Sequence, residues 1–110
     1  MTQEIFFRKL ISVGHKSPNT DSTYGEGFNY WIEIGLRLSP EAQSMEIKQR
    51  ISEVVKRIDH RALGLDVTFD FVPTAAQLCV YLARELCSVC GDPGVKVRLF
   101  RGDDLAAAVD

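Results

Sequence analysis

The sequence predicts an α+β fold, in which an antiparallel β-sheet carries two helices packed on one of its faces. Three observations lead there. Residues 27–38 alternate strictly, with Phe28, Tyr30, Ile32, Ile34, Leu36 and Leu38 on one side and Asn29, Trp31, Glu33 and Arg37 on the other, the period of a half-buried strand. Two further segments place apolar residues three and four apart, as helices with one buried stripe do. The order of elements, strand, strand, helix, short strand, helix, strand, suits a two-layer packing of this kind.

Residues 4–13 are rich in Ile, Phe, Leu and Val and read as the first strand. A polar loop from His15 to Glu26 follows, holding Pro18, Asn19, Asp21, Ser22 and Gly25, all turn formers. The second strand runs from Gly27 to Leu38. Ser39, Pro40 and Glu41 read as a helix start, with a capping hydroxyl, a proline in the first turn and an early acid. Ile47, Ile51, Val54, Val55 and Ile58 then form its apolar stripe to about residue 58.

Residues 59–71 form a connector in which Val67, Phe69 and Phe71 make a short strand. Pro73-Thr74 opens a second helix, striped by Leu78, Leu82 and Leu86 beside Cys79 and Ala83, and Gly91-Asp92-Pro93-Gly94 ends it. Val95, Val97 and Leu99 alternate with Lys96 and Arg98 as a last strand. The acidic, alanine-rich tail from Gly102 reads as frayed or as a short final helix.

The chain is 110 residues long, one domain over 1–110, able to bury roughly two-thirds of the surface its unfolded form exposes. Hydrophobic residues make up 45%, charged residues 25%, and the formal charge is −2, so there is no electrostatic footprint for nucleic acid. No patch that mixes basic residues with aromatics is expected. No apolar run is long enough to span a bilayer and no signal-peptide pattern opens the chain, which makes the cytoplasm the default location. Of the three cysteines, Cys87 and Cys90 form a C-x-x-C with no second pair. It closes a helix, so the dipole that would activate a thiol is absent, and buried or half-buried structural thiols are expected. Two helices cannot cover both faces of the sheet, and Trp31 on the outward face argues for a homo-oligomer whose subunits cover it.

Several motifs in order carry a resemblance. Gly14-His15 ends the first strand and Asn29-Tyr30 opens the body of the second. Ile58-Asp59-His60-Arg61-Ala62-Leu63 follows the first helix, and Pro73-Thr74-Ala75-Ala76-Gln77-Leu78 opens the next. In this order and spacing the chain resembles the 6-pyruvoyltetrahydropterin synthase and 6-carboxytetrahydropterin synthase family over residues 6–101.

The resemblance implies a T-fold, in which trimers close a barrel and commonly stack into hexamers, with active sites between subunits. It implies zinc on three histidines, a cysteine that moves a proton beside an Asp-His pair, and glutamates that hold a pterin ring. The departures are specific. His15 matches the first zinc ligand, but Glu26 and Phe28 stand where a His-Gly-His is expected, and Thr20-Asp21-Ser22 lacks the cysteine. Ala76 and Arg101 replace the two glutamates. Aligning Tyr24-Gly25-Glu26 to the His-Gly-His instead restores no ligand pair and breaks the Asn-Tyr match.

The expected site is therefore Asp59 and His60 as the catalytic pair, with His15, Glu26, Thr74 and Arg101 lining a ligand pocket and no metal or other cofactor. Histidine titrates near neutrality and suits general acid–base work, although adjacent residues seldom face each other, so another carboxylate is expected to orient His60. The competing reading is that Asp59 and His60 only end the helix. Three functions stay open: a metal-independent binder or carbon–oxygen lyase acting on a pterin- or purine-like ligand, a catalytically inactive oligomeric module, and a C-x-x-C thiol protein.

Overall fold

The computed structural model describes residues 3–15, 26–62, 74–91 and 94–109, with the backbone alone at 15, 26–28 and 62. Its elements are β1 (Gln3–His15), β2 (Glu26–Leu38), α1 (Ser44–Lys56), β3 (Arg61–Ala62), α2 (Ala75–Cys90), β4 (Lys96–Arg101) and β5 (Asp104–Val109). They build a five-stranded sheet in the order β3-β1-β2-β4-β5. All pairings are antiparallel except the two-residue bridge of β3 to β1.

The alternation of residues 27–38 decides the register. β1 and β2 pair along their whole length, from Gln3 opposite Leu38 to His15 opposite Glu26. One face of this ribbon carries Ile5, Ile11, Val13, Tyr30, Ile32, Ile34, Leu36 and Leu38, all buried. A slip of one residue would turn this set out to water. Cross-strand ion pairs on the opposite face support the same register: Arg8 Nε lies 3.7 Å from Glu33 Oε1, and Arg37 Nε 3.4 Å from Glu4 Oε1. Both pairs are partly exposed, so each contributes at most about 1 kcal/mol.

Both helices close the core from the apolar side. Ile47, Ile51, Val54 and Val55 of α1 and Leu78, Cys79, Leu82 and Leu86 of α2 are buried against the sheet together with Val97 and Leu99 of β4. Burying each large aliphatic side chain contributes roughly 1.5–3 kcal/mol. Cys79 fits this apolar layer because its thiol donates to the Val97 carbonyl at 3.1 Å. Cys87 and Cys90 form no disulfide and are half-buried in the last turn of α2.

Three expectations need correction. The helix signal at Ser39-Pro40-Glu41 is a turn, and α1 starts at Ser44 after Gln43, which makes no side-chain cap. The cause is distant in sequence: Gln3 Nε2 donates to the carbonyls of Ser39 and Ala42, both at 2.8 Å, and Ala42 N–H closes on Ser39 O at 3.1 Å. Proline is at home in the second position of such a turn.

The tail is neither frayed nor helical. Residues 104–109 form β5, joined to β4 by the two-residue turn Gly102-Asp103, with Arg101 opposite Asp104. Gly102 takes φ 61°, the left-handed value that the first turn position of this hairpin class demands. The connector after residue 58 also begins with a strand, Arg61–Ala62. The expected strand at Val67, Phe69 and Phe71 lies outside the described residues.

The third correction concerns the solvent face of the sheet. Leu10, Trp31, Phe100 and Leu105 stand in one cross-strand row, while Arg8, Lys96 and Arg98 share the same face. Aromatic and basic side chains are therefore mixed on this face, contrary to the expectation that no such patch exists, and Phe6-Phe7-Arg8-Lys9 and Arg98-Leu99-Phe100-Arg101 already mix them along the chain. No described helix is long and apolar enough to cross a membrane.

Candidate functional site

α1 ends in a tight turn whose last residues are stitched to β1. Ile58 N–H reaches Val55 O at 3.1 Å and Asp59 N–H reaches the same carbonyl at 3.0 Å. Ile58 is fully buried and fixes the turn against the core. His60 then adopts φ 60°, a left-handed conformation uncommon for residues other than glycine. That single dihedral turns the chain back to β1, where His60 N–H donates to Ser12 O at 2.6 Å. Ser12 N–H in turn donates to Asp59 Oδ1 at 3.0 Å.

Asp59 Oδ1 also stands 2.9 Å from His60 Nδ1, the distance at which an imidazole N–H donates to a carboxylate. The expectation that another residue's carboxylate would orient His60 is therefore corrected: left-handed backbone at His60 lets two adjacent side chains meet. The two environments differ sharply. Asp59's side chain is 10% exposed and His60's is 79% exposed. Asp59 Oδ2 lies 3.6 Å from Lys9 Nζ, so the nearly buried carboxylate is matched by a cation.

This geometry leaves a defined chemistry. A carboxylate that accepts at Nδ1 fixes the imidazole tautomer and leaves Nε2, exposed to water, as the atom able to exchange a proton.

Lys9 and Ser12 are the residues that sequence reasoning missed. A signal for Lys9 was present: it interrupts the apolar series Ile5, Phe7, Ile11, Val13 on the core side of β1. A cation on such a face calls for a partner. Ser12 takes part through its backbone, which no motif announces. Its hydroxyl lies 2.6 Å from Asn29 Oδ1, to which it donates.

The other expected residues take the following places. His15 and Glu26 are Cα partners, closing the β1–β2 ladder. Arg101 ends β4, and the register that sets Trp31 opposite Phe100 brings it level with Tyr30 of β2. Burial pushes the Tyr30 phenol above its ordinary pKa, and the nearby Arg101 guanidinium pulls the other way. Ser12, His15, Glu26, Asp59, His60 and Arg101 thus gather toward one end of the sheet. Thr74 has separate work, because its hydroxyl caps α2 by accepting from Gln77 N–H at 3.3 Å.

Among the described residues no group of three or more His, Cys, Asp or Glu side chains could hold a metal ion. In the β1–β2 register Phe28 is opposite Val13, two positions inside the His15–Glu26 pair. Neither has a lone pair to give, whereas a catalytic zinc normally takes three protein ligands.

No protein-family model matches the chain, and no curated protein does. Among solved structures it is similar to 6-pyruvoyl tetrahydropterin synthase from Caenorhabditis elegans, with a TM-score of 0.70 and 23% sequence identity over 92% of this chain and 89% of that one. At that identity the likeness establishes the fold, which is that of a pterin synthase, and no more.

Proposed function

We propose that this chain is a divergent pterin-synthase-like protein that binds a pterin- or purine-like small molecule between subunits of a homo-oligomer, a trimer or hexamer. The zinc-dependent lyase reaction is not its chemistry. The observation that carries this reading is the Asp59–His60 pair, held at 2.9 Å with an exposed imidazole, in a chain that shares its fold with a 6-pyruvoyl tetrahydropterin synthase.

The roles follow from the side chains. His60 exchanges a proton with the ligand through Nε2 and Asp59 fixes its tautomer. Glu26 supplies the acceptor that the amino and ring N–H groups of a pterin require. Arg101 meets an acceptor edge or an anionic substituent with its planar fork. His15 lines the pocket beside Glu26, and Thr74 is the least committed member because its hydroxyl already caps a helix. No step passes through a metal.

One observation favours the second reading, a catalytically inactive oligomeric module. Both Asp59 oxygens are engaged, one by Ser12 N–H and His60, the other by Lys9, which is also how a purely structural carboxylate is held.

Metal analysis of the purified protein, run with a thermal shift against zinc, neopterin and guanine and with sedimentation for oligomeric state, separates these readings. The expected result is an oligomer without stoichiometric zinc whose midpoint rises with neopterin or guanine. Stoichiometric zinc would overturn the metal-free assignment. An oligomer that responds to none of the three would establish the inactive module instead.

A further inference from the structure

The Asp59–His60 site makes no use of the C-x-x-C at the other end of the helix pair. Cys87 and Cys90 stand in the last turn of α2, half-buried and with no disulfide between them. Three residues apart on a helix, they share one face, with Cβ atoms about 5–6 Å apart. That face looks away from α1, because Glu85, on the other side of the buried Leu82–Leu86 stripe, reaches Arg57 of α1 at 3.3 Å. Ala83, one turn before Cys87 on the same flank, brings only a methyl group beside the two thiols.

The turn that carries them is firmly helical to its last residue. Gly91 takes φ 77° and its N–H returns to Cys87 O at 2.9 Å, while Arg50 of α1 donates to Val89 O at 3.2 Å. This geometry decides what the two thiols can do. A disulfide needs Cβ atoms about 3.5–4.5 Å apart, so closing one would distort the turn that Gly91 and Arg50 hold. A bridging metal ion asks for less. With each metal–thiolate bond about 2.3 Å long, the two sulfurs sit about 4–5 Å apart, within reach of the helical spacing. The number of ligands then selects the ion. Two thiolates fall short of the three or four protein ligands that zinc takes, and among the described residues no third His, Cys, Asp or Glu joins them. Copper(I) is soft, favours thiolate sulfur and is satisfied by two ligands in a linear arrangement.

We infer that Cys87 and Cys90 bind one copper(I) ion between their sulfurs, at a site separate from Asp59 and His60. The end of a helix gives no help to a bare thiolate, and none is needed, because a coordinating thiol is deprotonated outright. Each ion that binds displaces two protons to water and changes no oxidation state. The Arg57–Glu85 ion pair lies between this end of the helices and the turn that holds Asp59, so neither site depends on the other.

The test is an anaerobic titration of the reduced full chain with copper(I), supplied as its acetonitrile complex, in competition with the chromogenic chelator bicinchoninate. One ion per chain is expected, with two sulfur neighbours in X-ray absorption and unchanged sedimentation on loading. Cys87→Ser and Cys90→Ser should each weaken binding by more than about a hundredfold, beyond the loss that follows removal of a residue standing behind a ligand. Cys87→Ser combined with Ser88→Cys keeps the number of thiols but turns one about 100° off the shared face, and should fail as well. Melting curves check that each variant is folded. The proposal is overturned if the Ser88→Cys double variant binds as the parent does, if the single serine variants keep the ion, or if copper joins two chains through four sulfurs. A chain that ignores copper(I) and instead closes a Cys87–Cys90 disulfide with oxidised glutathione overturns it in favour of a redox pair.

Discussion

Asp59 and Ser12, separated by most of the first half of the chain, are joined by a reciprocal pair of backbone-anchored bonds: Ser12 N–H donates to Asp59 Oδ1 at 3.0 Å, and Ser12 O accepts from the next residue, His60, at 2.6 Å. The turn after α1 is thus tied to β1 just before β3 begins. The same carboxylate oxygen that receives Ser12 also orients His60, so fold and chemistry compete for one atom. Substitutions can separate the two roles.

Asp59→Ala leaves the Ser12 N–H without its partner and should cost about 1–3 kcal/mol. Asp59→Asn keeps an acceptor for that N–H and should cost less. His60 behaves oppositely, because its imidazole is mostly exposed and its backbone is left-handed. His60→Gly should leave stability unchanged or raise it, while His60→Val should lose about 1–2 kcal/mol through backbone strain alone. Denaturant unfolding of the four variants checks this order. If His60→Gly is stable yet no longer responds to neopterin, the imidazole serves the ligand; if Asp59→Asn is as damaging as Asp59→Ala, the bond to Ser12 is not what matters.

Thr74 poses the same question at the start of α2. Losing an N-cap hydroxyl costs about 1 kcal/mol, so Thr74→Ala should lower stability by that amount and Thr74→Ser should restore it. A ligand response that survives Thr74→Ala removes Thr74 from the pocket. One that disappears while stability falls only by the capping cost assigns it there. The two measurements are a melting curve and a neopterin thermal shift on each variant.

What could be read in advance follows the range of the forces involved. The face of β2 was legible because alternation is a local signal, and Ile32 or Leu36 has nowhere else to go, whereas β1, with Phe6 and Leu10 on its exposed side, could be read as a strand but not assigned a face. The α2 boundaries were legible for the same reason, with Thr74 at one end and Gly91, at φ 77°, at the other. The start of α1 was not, because Gln3 holds the Ser39–Ala42 turn from 36 and 39 residues away. β5 was missed because Leu105 and three alanines are weak strand formers, and they are ordered by pairing with β4. The contact between Asp59 and His60 rests on one unusual dihedral that no residue type there requires.

The missed hairpin gives a direct check. Gly102 at φ 61° has open space around it, so any penalty for a side chain there is conformational. Gly102→Ala should cost about 1–2 kcal/mol. Hydrogen exchange should show the loss first in the amides of β5, the edge strand that depends on this turn. Faster exchange spread evenly through the sheet would mean that β5 is not held by its turn.

Tyr30 supplies the pH dependence. Its phenol is buried among Ile11, Ile32 and their neighbours, and burial raises its pKa above the 10.0 of a free phenol, with Arg101 opposing. A raised value means that the folded state keeps the proton to higher pH than the unfolded chain does. The contribution of Tyr30 is therefore complete below about pH 10 and falls as pH rises through the folded value. Tyr30→Phe should remove this part of the alkaline loss of stability. Arg101→Ala should move the Tyr30 titration further upward, because it removes the charge that favours phenolate. Tyrosinate absorbance during a pH titration of the parent and Arg101→Ala proteins, read against Tyr30→Phe to isolate the signal from Tyr24 and Tyr81, measures the shift. A downward move in Arg101→Ala would mean that Arg101 acts on Tyr30 through packing, by shielding it from water, and its charge would then be directed elsewhere.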